Sequence, residues 1–212
     1  MTAADHQMRE AARAAVSLIE PGMRVGLGTG RTVAWLLREL AERQIEPLRC
    51  VATSPDTARA ATALGIAVEP FDRLDRLDIA IDGADQVAKD HWAIKGGHGA
   101  HLREKIVAAA ADRFVIIVSS DKLVDALHPP IPLELELFGL EATVRRLGHV
   151  TLRAGAPSTP DCGVLADYHG PIEDVAQLAS RFDQTPGVAG HGLFGPALID
   201  DVIVGTGGHS DD

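Results

Sequence analysis

"PGMRVGLGTGRTVAWLLREL", residues 21–40, decides how the rest of the sequence is read. After the Pro21-Gly22 stop comes a short β-rich run, "MRVGL". A glycine-rich turn, "GLGTGRT" (26–32), follows, and then Val33, Leu36, Leu37 and Leu40 repeat at helical spacing. A strand that feeds a helix through glycines brings bare backbone and free helix-start N–H groups to one point, which favours an anion. The turn is not a P-loop, because the lysine of that motif is absent. It is a poor dinucleotide fingerprint too: Arg31 stands where a third glycine belongs, and no acid ends the next strand, "LRCVATS". A tight turn with no ligand is the alternative; the polar groups of Thr29, Arg31 and Thr32 add hydrogen-bond donors and tilt the balance toward phosphate.

Outward from this unit the same alternation recurs. Met8, Ala12, Ala15, Val16 and Ile19 predict a helix over 5–19. Downstream, "LRCVA" reads as a strand, "TSPDT" as a turn and "ARAATALG" as a helix ended by Gly65. The apolar runs "IAVE" and "LDIAI" follow, the latter ending at Asp82. "HLREKIVAAAA" then reads as a helix and "FVIIVSS" as a buried strand. Strands alternating with helices predict a mainly parallel sheet, with ligands gathered at the carboxyl ends of its strands. The character changes near "HPPIP" (128–132). "LELEL" alternates with period two, a helix covers 139–147, "HVTLRA" and "GVLADY" flank the turn "STPDCG", a helix covers 171–182, and "GVAGHGLF" closes a split-βαβ order. "DVIVGTGG" looks like a last strand returning to the first sheet. The expected division is a core of residues 1–128 plus 196–212 and an α+β lobe of 129–195.

Composition narrows the function classes. A chain of 212 residues with 46% hydrophobic content can bury a substantial core, and its net charge of −10 argues against nucleic-acid or acidic-membrane binding while leaving room for a small anion in a cationic cleft. The first residues carry no apolar leader and no run suggests a membrane span. Cys50 and Cys162 match no metal or redox spacing, so both are expected to be reduced and buried in a cytoplasmic protein.

The chemistry concentrates in "DGADQVAKDHWAIKGGHGAHLREKI", residues 82–106. Asp82 and Asp85 leave the rim end of a strand and can hold sugar hydroxyls or form an Asx-type turn; Gln86 stands where a metal loop would want a third carboxylate. Lys95 precedes two glycines, so little bulk keeps it from a cleft. Glu104 sits in the first turns of a helix, either as a dipole-favoured surface acid or, if turned inward and desolvated, as a general base. His98 and His101 lack an obvious third metal ligand. Lys122 in "SSDK" leaves the same rim and can contact phosphate or hydroxyl. The other histidines and the "EDV" and "RRL" charges read as surface. A base, a cation, two hydroxyl acceptors and a phosphate loop suit proton transfer beside a carbonyl, as in aldose–ketose isomerisation.

"GLGTGRT", "DGAD", "KGGHGAHLREKI" and "SSDK", in that order and spacing, resemble ribose-5-phosphate isomerase of the A type; "PGMRVG" and "PGVAGHGLF" extend the likeness over most of the sequence. The resemblance implies an α/β fold, a Rossmann-like parallel-sheet core with a smaller inserted ferredoxin-like α+β lobe, in a cytoplasmic homodimer that uses no metal or cofactor. It implies interconversion of D-ribose 5-phosphate and D-ribulose 5-phosphate in the non-oxidative pentose phosphate pathway. Glu104 would be the base that shuttles a proton through a cis-enediolate, Lys95 the cation that steadies the oxyanion, and Asp82 and Asp85 the hydroxyl contacts that help open the ring. Thr29, Gly30, Arg31, Thr32 and Lys122 would hold the phosphate end, with Gly83, Ala84, Gly96, Gly97 and His98 completing the substrate contacts. The sequence differs from the family pattern at Arg31 (usually a small serine), Gln86, His98 and His101, at "TPDCG", where an Asn-Gly turn is common, and at Met8, where a lysine is usual with Arg9 now beside it. These differences leave open an isomerase of a different sugar phosphate, or a non-catalytic sugar-phosphate-binding protein.

Overall fold

A computed structural model describes residues 2–207. Helix α1 (Ala3–Val16) starts in a capping box, with Asp5 N donating to Thr2 Oγ1 at 3.1 Å and Thr2 N donating to Asp5 Oδ2 at 2.8 Å. It stops short of the predicted residue 19, because Ser17, Leu18 and Ile19 close a tighter turn onto Ala14, Ala15 and Val16. Strand β1 (Arg24–Leu27), helix α2 (Arg31–Arg43), β2 (Arg49–Ala52), α3 (Pro55–Ala63), β3 (Ile79–Asp82), α4 (His101–Ala109), β6 (Phe114–Ser119) and β13 (Asp201–Gly205) then build the first layer set.

These strands form one parallel sheet in the order β2-β1-β3-β6-β13. The chain runs from β1 outward to β2 and then crosses back to β3, so the strand order reverses between β1 and β3. Such a switch point opens a crevice beyond the strand ends. Both faces are covered, which explains the near-continuous apolar runs. Ile79, Ile81, Val115 and Ile117 pack with α1 and α2; Ala80, Phe114, Ile116 and Val118 pack on the opposite face with Val107 and Ala108 of α4. The predicted strand "IAVE" shrinks to a single bridge between Val68 and Cys50, cut short by Pro70.

A second, antiparallel sheet contains β8 (Ile131–Leu135), β9 (Val150–Leu152), β10 (Val164–Tyr168) and β11 (Val188–His191), in the order β11-β8-β10-β9, with α5 (Leu140–Leu147) and α6 (Val175–Asp183) in the crossovers. Helix α6 starts four residues later than predicted because Asp174 caps it, accepting from Gln177 N at 2.9 Å. The alternation of "LELEL" predicts one solvated face, yet all of β8 is buried. Glu134 tolerates this because the Thr159 hydroxyl donates to it.

Four very short strands make a third sheet that no sequence pattern announces: β4 (Gln86–Ala88), β5 (Ala93–Ile94), β7 (Leu123–Val124) and β12 (Leu193–Phe194), in the order β12-β5-β4-β7. The run "GVAGHGLF" is therefore two strands in two sheets. Cys162, expected inside, is exposed at positive φ in the turn before β10, whereas Cys50 is buried. His191, read as a surface residue, is buried. Among the described residues no helix is long and apolar enough to cross a membrane.

Candidate active site

Three charged groups are sealed from solvent at the β1/β3 switch point: Asp82 is 2%, Lys95 2% and Glu104 3% exposed. Asp82 ends β3, Lys95 follows β5, and Glu104 lies in the first turn of α4. Lys95 Nζ is 2.8 Å from Asp82 Oδ2 and 3.1 Å from Glu104 Oε2, and it also donates to the Gly83 carbonyl. Apart from the Lys95 ammonium, neither Asp82 Oδ2 nor Glu104 Oε2 has a polar partner among the described residues. Asp82 Oδ1 is committed to the backbone, accepting from Thr29 N at 2.9 Å and Gly83 N at 2.7 Å.

The glycine loop owes its sequence to this contact. A Cβ on Gly28 would lie 2.0 Å from Asp82 Cγ, so only glycine lets the β1 loop lie against that acid. Thr29 Oγ1 is 2.8 Å from Thr53 Oγ1, and Thr57 Oγ1 donates to the Gly28 carbonyl at 2.8 Å, anchoring the loop to the end of β2 and to α3. Gly30, at φ +118°, leads into α2 without a side-chain cap. The first N–H groups of that helix are therefore open to an anion.

Burial pushes the Glu104 carboxyl up to about 8; the Asp82 charge adds to the rise and the Lys95 ammonium opposes it. For Lys95 burial works downward, but Asp82 and Glu104 outweigh it and its affinity for the proton rises. A base poised near neutrality thus touches a cation that stays charged.

A small cavity of about 80 Å³ opens over this triad, lined by Thr29, Gly30, Arg31, Thr32, Gly83, Ala84, Asp85, Lys95, Gly96, His98, Glu104 and Lys122 together with Met8. Of the remaining predicted residues, Asp82 lies behind Lys95, and Gly97 donates its N–H to Asp85 Oδ2 at 2.8 Å. Arg9 is turned elsewhere: its Nε donates to Glu39 Oε1 at 2.6 Å and its guanidinium lies 5.8 Å from the centre of the Trp35 ring. Arg31, exposed at the mouth, is the cation on that side. His101 is fully buried and does not line the cavity; a Cβ on Gly96 would come within 2.5–2.7 Å of its Cβ, Nδ1 and Cγ. Burial drives its imidazole down to about 3, which keeps it neutral.

The profile of ribose 5-phosphate isomerase A (phosphoriboisomerase A) matches residues 49–209. The chain belongs to this family. It is 49% identical to ribose-5-phosphate isomerase A of Gloeobacter violaceus over 87% of this chain and 86% of that protein. Among solved structures, ribose 5-phosphate isomerase A from Neisseria gonorrhoeae superposes with a TM-score of 0.90 at 32% identity, covering 95% of this chain and 93% of the other. A D-ribose-5-phosphate isomerase in complex with phospho-erythronic acid gives 0.91 at 32% identity, covering 97% and 96%.

Sequence reading passed over some supports of this family site. Thr53 and Thr57 belong to "TSPDT", which reads only as a turn, although two hydroxyls just past a rim strand are a usable signal. Phe194, whose ring centre lies 5.3 Å from Lys95 Nζ, looks like any core aromatic until the fold brings it there.

Proposed function

We propose that Glu104 moves one proton between C1 and C2 of ring-opened D-ribose 5-phosphate, giving D-ribulose 5-phosphate. The ionised carboxylate takes the C2 proton, and the electron pair left behind delocalises onto the carbonyl oxygen at C1 as a cis-enediolate. Lys95 holds that oxyanion. As the proton on O2 passes to O1, Glu104 returns its own to C1 and the ketone forms at C2. Asp82 serves as the fixed counter-ion of Lys95, since one of its oxygens is engaged by backbone and the other faces the ammonium. Asp85, on the open side, contacts hydroxyls and assists ring opening. The phosphate lies at the uncapped start of α2, with Arg31 and Lys122 as its cations.

The observation that carries this reading is the buried Lys95–Glu104 contact at 3.1 Å beneath a cavity rimmed by the uncapped start of α2. A protein that only bound sugar phosphates would have no use for a buried base with a raised pKa. The family fixes the pathway as the interchange of pentose phosphates. Assembly as a homodimer belongs to the same proposal, supported by Leu137 and Phe138, 69% and 96% exposed beside α5, which a second copy would cover; light scattering tests it. Cytoplasmic residence is supported by the free Cys50 and Cys162 thiols.

The direct test is ketose formation from ribose 5-phosphate without added metal. Ribose 5-phosphate deuterated at C2 should pass its label to C1 of the product, and in D₂O solvent deuterium should enter C1 only as far as the proton on Glu104 exchanges before it is returned. Glu104→Gln should lose on the order of 10²–10⁴-fold in kcat; an unchanged rate would remove Glu104 as the base.

A further inference from the structure

Residues 95–100 join β5 to α4 and carry both Lys95 and the His98 wall of the cavity, yet three of them are glycines. Gly96 and Gly99 sit at φ +96° and +78°. Glycines offer no side chain to anchor and leave the loop many conformations to lose. Something else must hold it.

One side is held by Asp85, which accepts from Gly97 N. The other side is held from the antiparallel sheet. Arg153, just past β9, donates through Nη1 to the Gly97 carbonyl at 2.9 Å, and the same nitrogen lies 3.5 Å from the Gly96 carbonyl. Its Nε and Nη2 are paired with the carboxylate of Asp167 on β10 at 2.8 and 2.7 Å. A guanidinium is a rigid plane, so a two-point pairing with Asp167 fixes where the third nitrogen aims. Side-chain exposures of 20% and 21% show that the pair is largely withdrawn from water. With two successive carbonyls drawn toward Arg153, the N–H groups of those trans peptides face the other way. For Gly97 that is the direction of Asp85.

We propose that Arg153, oriented by Asp167, is a positioning residue for isomerisation: it clamps the Lys95–Gly97 backbone from the antiparallel sheet and so sets the place of the oxyanion-binding ammonium. The proposal rests on the catalytic reading above, and one of its readouts does not involve catalysis.

A second ion pair between α4 and the turn before β10, Arg103 with Asp161 at 2.7 Å, spends its hydrogen bonds on itself and not on the loop, and provides the control. Arg153→Met should lower kcat by about 10–10²-fold, the scale of an ångström-sized misplacement of a reacting group, and change KM much less. Arg153→Lys should recover part of that loss, because an ammonium can reach one carbonyl but cannot also pair at two points with Asp167. Millimolar guanidinium should restore part of the turnover of Arg153→Ala. Amide hydrogen exchange across residues 95–100 should quicken in Arg153→Met and stay unchanged in Arg103→Met.

Unaltered kcat and exchange in Arg153→Met would overturn the proposal, as would an equal fall in kcat for Arg103→Met, which would mean that any loosened contact between the sheets suffices. Should Arg153→Met fail to fold, Asp167→Asn and Arg153→Lys decide the same question through kcat and loop exchange. If the unaltered protein did not isomerise ribose 5-phosphate, the catalytic reading would fall, while loop exchange would still judge the clamp.

Discussion

Lys95 and Lys105 share one aromatic ring, with their Nζ atoms 5.3 and 5.2 Å from the centre of Phe194, and their pKa values move in opposite directions. Lys95 is sealed from water and Lys105 is half-buried, and burial pulls each ammonium downward. Lys95 meets two carboxylates that are themselves buried, and its pKa ends above the ordinary value. Lys105 meets only the His191 ring, whose nitrogens are both 3.2 Å away, and it falls to about 8. The carboxylate behind that ring, Asp183, is 68% exposed, so its charge is screened. His191 is itself pushed down to about 4, first by burial and then by Lys105, so it stands neutral at neutral pH, and in neither protonation state can an imidazole balance an ammonium. Burial alone therefore does not hold an ammonium firmly charged. The counter-ions must be buried with it.

Breaking the Lys95 side should have the largest effect. Lys95→Met removes the proposed partner of the oxyanion, worth on the order of 10²–10³-fold in kcat. It also leaves Asp82 and Glu104 buried without a cation, which costs about 3–5 kcal/mol when one member of a buried pair is deleted. Chemical denaturation and steady-state rates measure both. A variant with native stability would show that the triad is not electrostatically closed.

The same contrast explains what could be read from sequence. The strand–glycine–helix unit at 21–40 and the apolar runs around it carry the periodicity of a parallel sheet, and that topology sends the loops after β1, β3 and β6 to one rim. Thr29, Asp82 and Lys122 become neighbours for that reason alone. Glu104 and Lys95 follow because glycines let the intervening segment turn tightly. Nothing comparable marks the second cluster. Lys105 and His191 are 86 residues apart, as Arg153 and Gly97 are 56, and each looks like a surface charge until two sheets are packed together. Strands such as β5 and β12, two residues each, are too short to show any period. Pair contacts made across sheets leave no trace in local pattern.

A pH series sharpens the contrast, because the two regions respond with opposite sign. Glu104 is raised in the fold from 4.5 to about 8, so the native state holds a proton there that the unfolded state releases. Its contribution to stability is complete below about pH 4.5 and is lost as pH rises to about 8, with a limiting slope near 1.4 kcal/mol per pH unit. His191 is lowered from 6.5 to about 4, so its contribution is present above pH 6.5 and disappears as pH falls to about 4. Relative to the unaltered protein, Glu104→Gln should gain stability as pH rises from 5 toward 8, and His191→Gln should gain it as pH falls from 6.5. Parallel curves for the two variants would contradict the assignment.

The smallest effect is expected at the second lysine. Lys105→Met replaces an ammonium that burial already disfavours, and methionine can fill the same space against Phe194 with a flexible apolar chain. Deleting a half-buried charge that lacks a buried counter-ion removes its desolvation cost along with its contacts, so stability should change by no more than about 1 kcal/mol. Turnover should remain near that of the unaltered protein, because the Lys105 ammonium is directed at His191 and not at a side chain lining the cavity. The asymmetry between the two methionine variants is the quantity to measure: one ring, two lysines, and a large loss only on the side where acids are buried. A loss for Lys105→Met approaching that of Lys95→Met would mean that Phe194 transmits charge placement from one side to the other, and the two regions would have to be treated as one electrostatic unit.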